Sequence, residues 1–345
     1  MTRRTKTKDL NFQQLEQDDK SLQELAFLSQ VADMYYNQDM LQSDIAKKLY
    51  FSRSKVSRLL TQARELGIVD IKIRQVLDRI PTVEDALKKT FGLKDAVVIN
   101  SFSVDNKDER NLEMVTDFAS LYVSNLLKGD ITLGVSNGSA VNKVTRKINK
   151  LHNCDLKVVQ IIGSGSNAHQ AIESRDLVMR FSEIFSRGHC YFLNAPIYID
   201  NEFARSQILQ DKTIVTAFEM MKKCDIILSG IGVFDVQRFH TAEIIREYQT
   251  DAHARELEMK GAVGCICALY YDINGNYINA EWNNKCVAMP FEVIKNNPMT
   301  IGVACRDDKV LPMLGALRGK IVNVVITDVD TATKILEQNA ILNKS

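Results

Sequence analysis

The sequence lacks the features that mark several common classes of protein. Its 345 residues contain no Cys-x-x-Cys pair and no histidines in an HExxH spacing, so it predicts no metal site. No apolar run approaches the roughly 18 residues that a membrane helix needs. The basic segment Met1–Lys8 is followed by no apolar stretch, which argues against a secretory signal. We therefore expect a cytoplasmic protein without a metal or other cofactor.

The seven cysteines are scattered through apolar stretches and form no disulfide framework. Free cysteine packs as a small hydrophobe, so we expect reduced thiols in the core. Cys265 and Cys267 lie in a strand-like run, where alternation would send their sulfurs to opposite faces. This arrangement disfavours joint metal ligation.

Length and patterning indicate two domains joined by a helix. Residues 1–20 are polar with little periodicity, and we expect a flexible arm. Apolar spacing then predicts helices over Glu24–Asn37, Leu41–Leu49 and Ser52–Leu66, the last ended by Gly67, and alternation predicts a short strand or wing at Ile68–Ile73. The predicted division is an arm at 1–20, an N-terminal domain at 21–75, a linker helix at 76–92 and a C-terminal domain at 93–345.

The C-terminal domain alternates strand-like and helical patterns, which favours an α/β fold with a mainly parallel sheet covered by helices on both faces. Such sheets bind ligands at the carboxyl ends of their strands. The predicted strands are Ala96–Asn100, Ile131–Val135, Lys157–Ile162, Tyr191–Leu193, Ile226–Ile231, Gly264–Tyr271, Thr300–Ala304 and Ile321–Thr327. The predicted helices are Thr82–Phe91, Leu112–Leu127, Ala140–Ile148, Ser174–Ser186, Thr213–Lys222, Thr241–Tyr248, Val310–Leu317 and Thr331–Asn339.

Positive charge is concentrated locally, although the net charge of the chain is only +1. The helix predicted at Ser52–Leu66 combines an apolar inner face with a basic, hydrogen-bonding outer face near its start, as a DNA-reading helix requires. An ordinary three-helix unit with a solvated basic face is the alternative. The candidate DNA-binding residues are Gln42, Ser43, Ser52, Arg53, Ser54, Lys55, Ser57 and Arg58.

Two glycine-containing segments follow predicted strands and could form phosphate sites, because free N–H groups and a helix dipole would face an anion there. The first is Ile131–Ser139, which leads into a predicted helix. The second contains Gly163-x-Gly165-x-x-Ala168, which is similar to the glycine motif of dinucleotide-binding domains. A tight turn explains the second segment equally well, since a single match of this kind has low specificity.

The amino-acid sequence of the N-terminal domain resembles the winged helix-turn-helix of the SorC family of sugar-responsive regulators. The resemblance rests on QSDIAKKL at 42–49 and SRSKVSRLLTQARELGIVDIKI at 52–73. It implies that Leu41–Leu49 positions the domain on DNA, that Ser52–Leu66 reads bases, and that Ile68–Ile73 belongs to the wing.

The C-terminal domain resembles the same family in LNAPIYIDNE, DIILSGIGVFD, KGAVGCICALYYDINGN and KVLPMLGALRGKIVNVVITDVDTATKIL. The resemblance implies a fold similar to glucosamine-6-phosphate deaminase and ribose-5-phosphate isomerase, and a phosphorylated sugar or sugar-like effector. In that likeness Gly230–Gly232 forms one wall of the pocket and Lys309 contributes a cation. The candidate effector-binding residues are Gly134, Ser136, Asn137, Gly138, Ser139, Gly163, Gly165, Gly232, Asp235 and Lys309.

The chain departs from the family pattern around this pocket. Asn137 and Ser139 replace a tryptophan and a threonine, and Cys265 replaces an acidic residue. Cys305 and Arg306 replace a Gly-Gly pair before the lysine, and Arg306 could supply a further phosphate contact. Outside the pocket, Asp272–Asn276 favours an Asn-Gly turn over a calcium loop, and Trp282 could stack on a sugar or pack within the protein.

These observations predict a transcriptional regulator of a sugar-utilisation operon rather than an enzyme. We expect a homodimer or homotetramer that holds two reading helices on a palindromic double-stranded operator, with affinity set by the effector. One rival is a sugar-phosphate isomerase or deaminase with an appended DNA-binding domain, for which Glu173, Asp235 and Glu243 are available carboxylates. Another is a DNA-bound scaffold that has lost its ligand.

Overall fold

The computed structural model describes residues 25–38, 40–69, 78–101, 107–148, 151–165, 174–236 and 248–344. The chain divides into two units, residues 1–76 and residues 77–345. The predicted arm at 1–20 lies outside the described residues, as do residues 70–73 of the predicted wing.

Within its described residues, 25–38 and 40–69, the N-terminal unit contains three helices, α1 at 25–36, α2 at Gln42–Lys48 and α3 at Arg53–Glu65. Their apolar faces meet in one cluster, because residues at helical spacing share a face. Val31 of α1, Ile45 of α2 and Val56 of α3 are all fully buried there. Gly67 ends α3 in the left-handed region at φ +70°, and the next N–H, that of Ile68, bonds the Ala63 carbonyl at 2.9 Å. The predicted helix end is confirmed.

In the part of the C-terminal unit that the structure describes there are ten strands in two sheets. In chain order they are β1 Asp95–Ile99, β2 Gly129–Val135, β3 Leu151–Gln160, β4 Phe185–Tyr191, β5 Ile226–Gly230, β6 Gly232–Val233, β7 Ala262–Ile266, β8 Leu269–Asp272, β9 Thr300–Val303 and β10 Val324–Asp328. Seven form a wholly parallel sheet in the order β1-β10-β9-β5-β2-β3-β4. The other three, β6-β7-β8, form a small antiparallel sheet. The mainly parallel architecture is as predicted.

Helices cover both faces of the large sheet, because its strands are apolar on both sides. In the described ranges, the helices of this unit are α4 Pro81–Phe91, α5 Lys107–Leu126, α6 Ser139–Lys147, α7 Ser174–Ile184, α8 Glu202–Ile208, α9 Lys212–Met221, α10 Asp251–Met259, α11 Glu281–Lys285, α12 Phe291–Lys295, α13 Val310–Arg318 and α14 Val329–Leu342. Of these, α10 and α11 contact the small sheet. Helices α5, α6 and α7 pack on one face around Val115, Val141 and Phe181. Helices α4, α9, α13 and α14 contribute to the core on the other face.

The helix predicted as a linker, α4, packs into the C-terminal core. Leu87 is fully buried among residues of the large sheet. The buried Glu84 carboxylate accepts the Val98 N–H of β1 at 2.9 Å and forms two 2.8 Å bonds with the Arg79 guanidinium. Such a buried, paired carboxylate fixes the helix against β1.

Two strand predictions were wrong. The run Gly264–Tyr271 is not one strand but the β7–β8 hairpin, because Cys267 and Ala268 both adopt positive φ, 50° and 59°. Cys267 therefore lies in a turn, and the alternation argument about its sulfur does not apply. The strand predicted at Tyr191–Leu193 is β4, Phe185–Tyr191, an edge strand whose polar residues gave no apolar run. The helix predicted at Thr241–Tyr248 lies outside the described residues except for its last residue.

Trp282 and the Asp272–Asn276 segment both have structural roles. Trp282 is fully buried, donates its indole N–H to the Ala268 carbonyl at 2.8 Å and stacks on Tyr198 at 4.9 Å, so it is a core residue. Asp272 accepts hydrogen bonds from the N–H groups of Asn274 and Asn276, which makes the predicted turn.

All seven cysteines are free. None of the helices in the described ranges has both the length and the apolar character to cross a membrane.

Candidate functional site

The first candidate site is the exposed face at the start of α3. Ser52 precedes the helix and its hydroxyl accepts the Lys55 N–H at 3.2 Å, which satisfies one of the free N–H groups of the first turn. Val56, Leu59 and Leu60 pack toward the core, which leaves the polar and basic residues of these turns outside. The structure thus brings together, all exposed, Ser52, Arg53, Ser54, Lys55, Ser57 and Arg58.

Lys55 is oriented by an aromatic ring. Its ammonium lies 4.1 Å from the centroid of Phe51, and the Phe51 ring makes an edge contact with Phe27 of α1 at 5.9 Å. A cation over an aromatic face is attracted by the ring quadrupole. Of the two candidates on α2, Gln42 is half-buried and Ser43 is exposed. The arrangement offers a polyanion several cations and hydroxyls on one helix.

The second candidate site lies where three neighbouring strands of the large sheet end. Val135 of β2 pairs with Leu228 of β5, and Gly230 of β5 pairs with Val303 of β9. Because these strands are parallel, the segments that follow them, 136–139, 231–235 and 304–309, leave the sheet at the same edge. This edge is where open α/β sheets bind ligands.

The loop after β2 is fixed from within by a pair of serines. Ser136 is buried, its Oγ lies 3.0 Å from Ser229 Oγ, and its N–H donates to the Leu228 carbonyl at 3.1 Å. Gly134 lies inside β2, where a Cβ would come within 2.9 Å of the Ile161 side chain. Gly134 and Ser136 therefore shape the loop from inside the fold.

The same loop ends at the N-terminus of α6. The cap position is Gly138, at φ 120°, which has no side chain to accept the first N–H groups of the helix. Asn137 and Gly138 are half-buried and Ser139 is exposed. A helix N-terminus with open N–H groups carries a partial positive charge and favours an anion.

Lys309 supplies a cation at this edge. It ends a 3-10 turn, Asp307–Lys309, directly before α13, and its Nζ donates to the Ile231 carbonyl at 2.7 Å. Burial lowers the pKa of Lys309, because the charged form loses water. Among the residues that the structure describes, no carboxylate forms an ion pair with it. The nearby Asp308 carboxylate is instead bound by the Arg306 guanidinium at 2.6 and 3.2 Å.

Close packing connects Lys309 to the small sheet. A Cβ on Gly232 of β6 would lie 2.3 Å from Cys265 Sγ of β7, so a larger residue there would displace the Cys265 side chain. Burial raises the pKa of the Cys265 thiol to about 11, and the neighbouring Lys309 opposes that rise. The thiol is therefore neutral at ordinary pH. Asp235, two residues after β6, is half-buried.

The second glycine segment has a different role. The Gly163 N–H donates to the Val287 carbonyl at 2.8 Å and the Ser164 N–H to the Ala195 carbonyl at 2.9 Å. These N–H groups are therefore used within the fold and do not face an anion. Gly165 ends the described segment, and Ala168 lies outside the described residues.

Replacing Gly163 with alanine is expected to destabilise the protein by about 2 to 4 kcal/mol. A Cβ would lie 2.7 Å from the Pro196 carbonyl oxygen and 2.8 Å from the Ile197 backbone, where neither neighbour is a flexible side chain. Urea unfolding measures the change. Gly92→Ala is the control for a glycine with open space around it, although its φ of 67° adds some strain. Equal midpoints for Gly163→Ala and the wild type would contradict this role.

Sequence patterns missed Ser229, whose hydroxyl meets that of Ser136, because it lies within an apolar run. The family resemblance had placed Gly230–Gly232 and Cys265 around the pocket, but it did not give the contacts that the Ile231 carbonyl and the Cys265 thiol make. The ends of the strands were visible in the sequence. Their adjacency depends on the strand order.

The chain is similar to a family of sugar-binding domains and to known regulators. The model of the Sugar-bind family, a sugar-binding domain, matches residues 78–337. The sorbitol operon regulator of Klebsiella pneumoniae is 27% identical over 318 residues, which cover 91% of this chain and 98% of that protein. The deoxyribonucleoside regulator of Bacillus subtilis is 27% identical over 318 residues, covering 92% and 99%.

The chain is also similar to solved structures of transcriptional regulators. The full-length sorbitol operon regulator SorC from Klebsiella pneumoniae matches with a TM-score of 0.69 at 28% identity, covering 90% of this chain and 98% of that one. A transcriptional regulator from Streptococcus pneumoniae TIGR4 matches with a TM-score of 0.69 at 26% identity, covering 75% and 97%.

Proposed function

Because this chain belongs to the Sugar-bind domain family and to the SorC family of transcriptional regulators, we propose that it controls a sugar-utilisation operon in the cytoplasm. In this proposal the N-terminal unit binds double-stranded operator DNA. The C-terminal unit binds a phosphorylated sugar or sugar-like effector, which changes the affinity for the operator.

The half-buried ammonium of Lys309 carries the effector half of the proposal. A charge withdrawn from water is costly unless an opposite charge compensates it. Within the described part of the chain Lys309 has only the Ile231 carbonyl as a partner. A phosphate at this edge would meet both Lys309 and the open N–H groups at Gly138 and Ser139, because residues 230–231 lie beside both Asn137 and Lys309.

The exposed face of α3 supports the DNA half. Arg53 and Arg58 can each pair bidentately with guanine, while Lys55 and the serines suit phosphates. The winged form of the helix-turn-helix remains part of the proposal. We propose a homodimer or homotetramer, since two reading helices on a palindromic operator would double these contacts.

The effector would act by preferring one arrangement of the regulator. A ligand shifts an equilibrium only by its difference in affinity for the two states. The same coupling makes operator DNA change effector affinity by an equal factor.

The experiment has two stages. Selection from a random duplex library identifies an operator, and a thermal-shift screen compares phosphorylated sugars with their unphosphorylated counterparts, since a ligand of the native state raises Tm. A phosphorylated compound that raises Tm should also change operator affinity in fluorescence anisotropy. If no compound shifts Tm while a duplex is selected, the effector half fails and the DNA-bound scaffold is favoured.

A sugar-phosphate isomerase or deaminase is the rival from another class. Its candidate carboxylates Glu173 and Glu243 lie outside the described residues, and a shared fold does not establish an activity. The relatives are named as regulators. Turnover of ribose 5-phosphate or glucosamine 6-phosphate by the purified protein would favour the enzyme.

Effector affinity is expected to fall as pH rises through the pKa of Lys309. The phosphate binds the ammonium, and burial holds that pKa below its ordinary value. Above the pKa that Lys309 has in the free protein, Lys309 must take up a proton when the phosphate binds. The affinity therefore falls by about tenfold per pH unit. Isothermal titration of the screened compound across alkaline pH measures the slope. Lys309→Arg should remove it, because guanidinium stays charged; an equal slope in that variant would exclude Lys309 as its source.

A further inference from the structure

Helix α6 carries three cations in its last two turns, and their partners differ. Two of them, Lys143 and Lys147, face α5 and form ion pairs with Glu113 at 2.8 and 2.6 Å, and Lys147 also pairs with Asp117 at 2.8 Å. The α5 side of the helix is therefore neutralised by carboxylates.

The third cation, Arg146, faces α7 and meets a second arginine. Its Nε lies 3.2 Å from Asn142 Oδ1, and Arg180 of α7 places Nη1 2.8 Å from the same oxygen. Two guanidinium groups thus share one neutral acceptor. Neither forms an ion pair within the residues that the structure describes.

The electrostatics of this pair are unfavourable in the free protein. Partial burial and the neighbouring charge of Arg146 both lower the pKa of Arg180, and the carboxylates Asp176 and Glu183 only partly offset this. Asp176 and Glu183 are both exposed. An anion between the two guanidinium groups would remove the repulsion.

We propose that Arg146, Arg180 and Asn142 form a second anion site, which takes the phosphate group of a small, freely diffusing molecule. Guanidinium groups match phosphate oxygens in planar, paired hydrogen bonds. The amide of Asn142 holds both arginines in place before the anion arrives, which lowers the cost of ordering them.

This site is separate from the effector edge. Arg146 lies seven residues beyond Ser139 along α6, a distance of about 10 Å at the helical rise per residue. It is part of the helix layer formed by α5, α6 and α7, whereas Lys309 precedes α13 on the other side of the sheet. Asn142 lies in the first turn of α6, where its N–H donates to the Gly138 carbonyl at 2.9 Å.

Inorganic pyrophosphate is the probe, titrated calorimetrically into the full-length Lys309→Ala protein, in which the effector edge has lost its cation; the arginine variants below then separate the two sites. We expect saturable binding that weakens about tenfold in either Arg146→Gln or Arg180→Gln, because each loses a charged hydrogen-bonding partner. Lys143→Gln is the matched control, since it removes a paired lysine from the same helix, and it should bind as well as the parent.

Stability separates a ligand role from a structural one. Without pyrophosphate, Arg180→Gln should have a Tm equal to or above that of the parent, because a like charge is removed. With pyrophosphate, the parent should gain in Tm and the variant should not. No saturable binding in the parent, or equal weakening by Lys143→Gln, would overturn the proposal. If Arg146→Gln or Arg180→Gln weakened binding of non-operator duplex DNA but left the affinity for pyrophosphate unchanged, the proposal would also be overturned, in favour of a DNA contact.

Discussion

Replacing Lys309 with methionine is expected to lower the affinity for the phosphorylated effector about 100-fold, or about 2.7 kcal/mol. The substitution keeps an unbranched apolar stem and removes the ammonium that donates to the Ile231 carbonyl. Without that charge, a phosphate at the strand ends would keep only the helix N-terminus at Gly138. Isothermal titration with the compound from the thermal-shift screen measures the change.

Lys334→Met is the control for this result. Lys334 pairs with Asp307 of the same 3-10 turn at 2.6 Å, yet it is an exposed lysine. Its loss disturbs the turn without removing the proposed ligand cation, and exposed pairs contribute little to stability. Similar affinities for Lys309→Met and the wild type would show that the effector binds without this ammonium. Operator binding without effector should be intact in both variants.

Replacing both Arg53 and Arg58 with alanine is expected to lower operator affinity at least about 100-fold. A lost bidentate contact to a base costs about 1 to 3 kcal/mol, and a dimer would lose each contact twice. Both side chains are exposed and α3 keeps its buried residues, so the fold should be unchanged. Fluorescence anisotropy with the selected operator measures the loss.

The same assay distinguishes base reading from simple attraction to phosphate. A base contact lowers operator affinity more than affinity for random duplex, whereas a phosphate contact weakens both equally and flattens the salt dependence. Arg64→Ala is the control, because Arg64 lies in the last turn of α3 and donates to Thr61 at 3.2 Å. Unchanged operator affinity in the Arg53 and Arg58 variant would exclude α3 as the reading helix.

Local patterns in the sequence predicted most elements because they record local chemistry. The spacing of Val56, Leu60 and Ala63 defines the buried face of α3, and Gly67 supplies the left-handed residue that ends it. The runs that became β2, β5 and β9 are apolar because both faces of a parallel sheet are covered. Where residues were polar, as in the edge strand β4, or adopted positive φ within an apolar run, as at Cys267 and Ala268, these patterns failed.

The two glycine segments show most clearly what local sequence patterns cannot predict. Both follow predicted strands and contain glycine, and both were candidate phosphate sites, although a tight turn explained the second equally well. The structure leaves the N–H groups after Gly138 at an open helix end and gives those of Gly163 and Ser164 to the carbonyls of Val287 and Ala195. Residues more than 30 positions away decided the difference, and such distant partners leave no local trace.

The sequence by itself determined the helices and most strands, the α/β class of the C-terminal unit and the basic face of α3, because each depends on neighbours within a few turns. Only the tertiary structure decided which strand ends meet. The order β9-β5-β2 places the segments that carry Lys309, Ile231 and Gly138 at one edge, and packing of α6 on α7 brings Arg146 and Arg180 to one amide oxygen. Strand order and helix packing are set by burial summed over the whole core, which no short segment encodes.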